Sequence, residues 1–157
     1  MLDHGDGEDD IEARLDAVDA AAGQSWRRLQ DLIWGPRWDF SLPCLDFSEA
    51  SLYTLARWLK LAASEQTIEA FGDTLRCAGF YFGQTVKEQV QSFWELRSDG
   101  MIGLRVRRRA DGGGDREVDI VDVLQSWYDA LQRDDGTDEG VLVEQWRLAT
   151  LDGDRHG

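Results

Sequence analysis

The chain has two histidines, His4 and His156, and each lies within a few residues of one end of the sequence. A histidine that moves protons must be held within hydrogen-bond reach of its partner by a rigid scaffold. Neither has an apolar repeat around it that would supply one, so a Ser-His-Asp or Cys-His apparatus is not expected. His4 stands beside Asp6, Glu8, Asp9 and Asp10, a set that reads as a solvated acidic tail rather than a metal site. Asp134–Gln145 looks superficially like a calcium loop, but it has neither glycine at the sixth position nor glutamate at the twelfth. Gly112-Gly113-Gly114 is a turn and not a phosphate cradle, because no lysine followed by Ser or Thr leads a helix from it. Cys44 and Cys77 fit no CxxC or metal spacing and are expected to be reduced thiols. No metal and no cofactor are expected.

Carboxylates are the remaining route to catalysis. Glu69 and Asp73 stand one helical turn apart, as would Asp115 and Asp119 on a helix. Both pairs read as solvated faces, and a small enzyme using a carboxylate pair in a cleft is the alternative function.

The arginines and tryptophans point instead to contact. Arg105, Arg107, Arg108 and Arg109 fall within five positions. Strand alternation would place Arg105, Arg107 and Arg109 on one face, opposite Leu104 and Val106. Such a face is a candidate partner-binding patch, or else it is solvated or paired with the acidic ends. Trp34 and Trp38 flank a Gly-Pro-Arg turn, and Trp38 is either an aromatic anchor for a partner or a lid over the core.

The formal net charge is −14, from 31 acids against 17 bases. Residues 1–12 contribute −6 and residues 134–157 contribute −5, leaving −3 for residues 13–133. A chain this acidic is a poor phosphate-tracking surface, which argues against nucleic acid as a partner. No apolar run approaches the roughly 18 residues a membrane span needs. The start lacks the cationic and apolar regions of a secretion signal, so a cytoplasmic location is expected. The expected organisation is an acidic flexible tail over 1–10, a single domain over 11–151, and a flexible tail over 152–157.

The elements that must position these residues follow from periodicity. Ile11, Leu15, Val18, Ala22, Trp26, Leu29 and Ile33 share one helical face, weakened at Gly23 and stopped by Gly35-Pro36. Pro36–Phe47 reads as an ordered loop. Asp46 with Glu49 suggests a capping box, with Ser48 as the alternative cap. A second helix then buries Leu52, Leu55, Leu59, Ala62 and Ala63. A third, of about 25 residues, is marked by Ile68, Phe71, Leu75, Phe82, Val86 and Val90. On it Gly72, Gly79 and Gly83 share a face and predict the packing centre, where another backbone approaches closely. Phe93–Arg97, Ser98-Asp99-Gly100 and Met101–Arg107 read as strand, tight turn, strand. A fourth helix follows, capped by Asp119, with Ile120, Leu124, Trp127, Tyr128 and Leu131 inward. Val141–Leu148 reads as a possible C-terminal strand, because its apolar residues scatter around a helical wheel. The fold class is α+β.

Residues 71–97 carry Phe80-Tyr81-Phe82-Gly83-Gln84-Thr85 at the end of a helix and Trp94-Glu95 at the opening of a strand, followed by a hairpin and a helix. The pattern resembles small bacterial α+β domains, many of them immunity-like proteins of toxin–antitoxin loci. In such domains Tyr81, Gly83 and Trp94 would be structural, the glycine for close packing and the tryptophan for the helix–sheet contact. The resemblance implies a protein-binding role. The expected function is therefore that of an immunity-like or accessory subunit that occludes the surface of another protein. A self-assembling structural protein is a further alternative, and the sequence leaves the oligomeric state open.

Overall fold

The computed structural model describes residues 4–108, 114–151 and 153–155, with side chains from Asp10 onward. It contains six α-helices and a three-stranded antiparallel sheet among these residues. The predicted single N-terminal helix is two: α1 (His4–Gly23) and α2 (Ser25–Ile33). They part at Gly23-Gln24, the weak point of the periodic stripe, where Ser25 Oγ donates to the Ala22 carbonyl at 2.6 Å. Helix α1 starts within the stretch expected to be a flexible tail. A single 3₁₀ turn, Gly35–Arg37, leads into the loop before α3 (Glu49–Glu65).

Ser48, not Asp46, caps α3, its hydroxyl accepting the Ser51 N–H at 3.1 Å. Asp46 holds that cap in turn by accepting the Ser48 N–H at 3.1 Å. Glu49 does not close a capping box but accepts from Arg147 at 2.8 Å. Helix α4 (Ile68–Gln89) opens on a Thr67 cap whose hydroxyl accepts the Ala70 N–H at 3.2 Å. It runs through the middle of the molecule and contacts α1, α2, α3, the two helices that follow it and the first strand of the sheet.

The sheet is a meander of β1 (Ser92–Leu96), β2 (Ile102–Val106) and β3 (Arg116–Val118). Gly100 at φ +83° closes the β1–β2 hairpin in the left-handed region that a glycine adopts without cost. Trp94, Leu104, Val106 and Val118 face inward and are buried. The third strand was not expected. Helix α5 (Ile120–Arg133) begins at the predicted cap, with Asp119 accepting the Asp122 N–H at 3.1 Å.

The expected strand over Val141–Leu148 is a helix, α6 (Asp138–Thr150). It packs against α3, α4 and α5 at once, so its apolar residues are wanted on several sides and scatter around the wheel. Leu142, Val143 and Ala149 are buried, and the Trp146 indole donates to the Thr85 carbonyl at 3.2 Å. Residues 153–155 were expected to be a flexible tail but are docked. Asp154 accepts the Gln91 N–H and donates its own to Arg107, both at 2.7 Å, which closes the open end of the β1–β2 pair.

Two of the three predicted packing glycines sit at close approaches on α4, but what approaches is a side chain in each case and not another backbone. A Cβ on Gly83 would lie 2.1 Å from the Trp94 ring, and one on Gly79 would lie 2.7 Å from Ile120 Cγ2. Gly72 departs from the prediction: it is exposed, and nothing stands within 4 Å of where its Cβ would be.

Tyr81 is fully buried, and its hydroxyl accepts the Phe47 N–H at 2.8 Å and shares a 2.6 Å hydrogen bond with Ser51 Oγ. Phe47 is held at φ +62°, with its ring stacked on Tyr81 at 4.7 Å. A phenylalanine in the left-handed region is strained, and Tyr81 is the residue that fixes it there. Burial pushes the Tyr81 phenol up to about 12.

Candidate functional site

Of the predicted arginine face, Arg105 is committed within the sheet. Arg105 makes a forked pair with Glu95 at 2.9 and 2.8 Å and lies 3.9 Å from Glu117. Arg97 crosses the space left open by Gly103 and pairs with Glu117 at 2.9 Å and Asp119 at 2.8 Å. The solvent side of the sheet is thus a ladder of alternating charge, Glu95–Arg105–Glu117–Arg97–Asp119. Burial works to raise the Asp119 carboxyl, but the Arg97 hydrogen bond and the Asp122 amide outweigh it and hold the pKa below the ordinary value. Arg107 lies past the end of β2, exposed and without an ion pair among the described residues. Arg109 falls outside the described residues, as do His156 and the side chain of His4.

Trp38 is half-buried and packs edge-on against Trp58 at 5.7 Å, as Trp34 does at 5.8 Å, so its ring lies over the core. Glu69 and Asp73 are exposed on α4. Asp115 and Asp119 are not on one helix, since β3 separates them. Cys77 is buried, its thiol raised to about 11 chiefly by burial, which makes it a poor nucleophile. No group of three or more His, Cys, Asp or Glu able to hold a metal occurs among the described residues. None of their helices is long and apolar enough to cross a membrane.

What stands out is apolar. On the first half of α4, Ile68, Phe71, Gly72, Leu75 and Arg76 recur at the spacing of one helical face. On α5, Val121, Leu124, Gln125 and Tyr128 do the same. These two stripes and Met101 of the hairpin turn line a groove of about 610 Å³. A second depression of about 320 Å³ continues it toward Trp94, Ile102 and Arg14, and shares Arg76, Met101, Val121 and Leu124 with the first. Four large apolar side chains are open here: Ile68 is 92% exposed, Val121 51%, Met101 50% and Tyr128 39%. Phe71 forms the floor, with ring centroids 6.4 Å from Trp127 and 6.5 Å from Tyr128. Gly72 belongs to this surface, where its missing side chain widens the groove.

Sequence periodicity had put Ile68, Phe71, Leu124 and Tyr128 on buried faces, and the structure leaves Ile68 and Tyr128 uncovered. One signal was available beforehand. The α4 stripe starts at Ile68, next to its Thr67 cap and well before the stretch that is apolar on every side. No known protein family, curated protein or solved structure matches the chain.

Proposed function

We propose that this domain acts by contact, as a protein-binding module of the immunity-like or accessory kind, and that the α4–α5 groove is the surface it uses to cover its partner. The reading is carried by the convergence of Ile68, Met101, Val121 and Tyr128 on one open depression. Single exposed apolar residues are ordinary, whereas a contiguous apolar patch edged by polar groups is typical of protein–protein contact. The groove offers an aromatic floor and apolar walls, which is how the anchors of an interface are received. Its polar rim would give steering and specificity more than affinity. The Arg105 face supports the reading less, because Glu95 and Glu117 already engage that guanidinium.

The test is co-purification with the products of the adjacent genes, using the wild-type chain and Ile68→Asp/Val121→Asp. A partner held by the wild type and released by the double variant is expected. A partner that the double variant retains but Arg105→Glu/Arg107→Glu loses would move the interface to the sheet and end the groove reading.

A further inference from the structure

We infer that the smaller depression, where α1, α4, α5 and the β1–β2 hairpin meet, binds a small amphiphilic carboxylate, with Arg14 and Arg76 holding its head and apolar walls covering its body. The inference goes beyond the protein-docking reading and stands without it. The depression of about 320 Å³ lies within the range of about 300–1,000 Å³ usual for small-ligand sites, which are mostly apolar with a few convergent polar groups. Its apolar lining includes Phe80, Trp94, Ile102, Ile120 and Leu124. Phe80 meets Trp94 edge-on at 6.0 Å, which gives the wall a stiff aromatic corner. Gly79 and Gly100 also line the space and put no side chain into it.

The charged lining selects the sign of the ligand. Arg14 of α1 and Arg76 of α4 are the two charged residues of the lining, and no carboxylate belongs to it. Arg14 is exposed and makes no ion pair or hydrogen bond among the described residues. Arg76 pairs with Asp73 at 3.5 Å, with both side chains more than half exposed (71% and 60%). Exposed pairs of this kind hold weakly, and a guanidinium has five N–H donors, so Arg76 keeps donors for a ligand. Two guanidiniums beside an apolar floor suit a carboxylate, which accepts forked, charge-assisted hydrogen bonds. They repel a cation of the same shape and gain little from a neutral chain. The net charge of −14 opposes an anion at a distance, but physiological salt screens that field beyond about 8 Å, whereas the guanidinium contacts are short-ranged.

Octanoate, octylamine, octanol and acetate test this, each titrated into the full chain while methyl NMR signals are followed. Ile102 and Ile120 line only the smaller depression and Ile68 only the larger one, so their methyls tell the two apart. Octanoate is expected to shift Ile102 and Ile120 and leave Ile68 in place. It should bind about tenfold tighter than octylamine or octanol, as charge-assisted hydrogen bonds allow. Acetate, with no body to bury, should leave the signals unmoved. Arg14→Gln/Arg76→Gln removes two exposed charges and should bring octanoate down to the affinity of octanol, with octanol binding unchanged. Octylamine or octanol binding as tightly as octanoate to the wild type overturns the inference, and so does an octanoate preference that survives in the double variant. So does an Ile68 shift as large as that of Ile102, or no shift below the concentration at which octanoate forms micelles. Tighter binding of a short peptide with a free C-terminal leucine would assign the site to a protein C-terminus and overturn the small-molecule reading. None of these failures touches the docking reading, which stands or falls on the co-purification of Ile68→Asp/Val121→Asp.

Discussion

The indole of Trp94 occupies the place where a side chain on Gly83 would have to stand. The ring's Cη2 lies 2.1 Å from an ideal Cβ at that position and Cζ2 lies 2.7 Å from it. The sheet therefore rests on α4 through one aromatic ring laid on bare helix backbone.

The three α4 glycines should consequently respond to alanine in three different ways. Gly83→Ala must displace a buried indole, and overpacking of this kind costs about 1–3 kcal/mol or more. Gly79→Ala meets only the methyl ends of Ile120 at 2.7 Å and Leu124 at 3.2 Å, so its loss should be smaller. Gly72→Ala meets nothing, and a helical glycine replaced in open space gains about 0.5–1 kcal/mol. Urea unfolding of the three variants, ranked Gly72→Ala above wild type and Gly83→Ala lowest, checks the geometry.

Tyr81 should link the loop before α3 to alkaline stability. Tyr81→Phe removes the acceptor of the Phe47 N–H and the partner of Ser51, leaving part-buried polar groups unmet at a cost of about 1–3 kcal/mol. The phenol is raised from 10.0 to about 12 in the folded chain, first by burial. A raised pKa means the unfolded state loses its proton first. The contribution is intact below pH 10 and is lost as pH rises toward 12. The Cys77 thiol acts likewise from 9.0 to about 11. Stability measured by denaturant from pH 8 to 12 should fall through this window, less steeply in Tyr81→Phe/Cys77→Ala.

At the other end of the scale, Asp119 serves as cap and ion-pair partner together, and two substitutions separate the roles. Asp119→Asn keeps an acceptor for the Asp122 N–H but loses the charge facing Arg97. Asp119→Ala loses both, the missing cap alone costing about 1 kcal/mol. Because the folded carboxyl lies below 3.8, its charge-linked contribution is present above that pH and fades as pH falls past the folded value. Wild type should therefore lose stability on acidification below pH 4 more steeply than Asp119→Asn. Melting curves from pH 2.5 to 7 would record the difference.

The parts of this fold that were legible in the sequence are those with a local cause. Asp119 caps a helix, Asp99-Gly100 turns a hairpin, and the run Cys77–Phe82 on α4 is apolar all round because neighbours cover it all round. What was not legible depended on neighbours distant in sequence. Helix α6 looked unlike a helix because three other helices share its surface. Strand β3 is three residues long and exists by pairing Leu104 with Val118 and Val106 with Arg116. The Arg105 cluster was visible as a charge, but Glu117, which helps engage it, enters only through that strand. The groove was half visible: its stripes are periodic, but periodicity marks an apolar face without saying what covers it.

That distinction yields a last expectation. Ile68 and Val121 are open to water, so Ile68→Ser/Val121→Ser should unfold within about 0.5 kcal/mol of wild type, as surface substitutions do. Phe71 is half-buried against Trp127, and Phe71→Ala should cost about 2 kcal/mol, below the range for a fully buried phenylalanine. A dye such as ANS reports the same division in a different way. The native wild type should bind it through the groove, the double serine variant should lose most of that fluorescence while staying folded, and Phe71→Ala should not lose it through the wall residues. Equal dye binding by wild type and the double serine variant would mean that the four side chains lie too shallow to hold an apolar guest. A large stability loss in the serine variant would mean that they are part of the core.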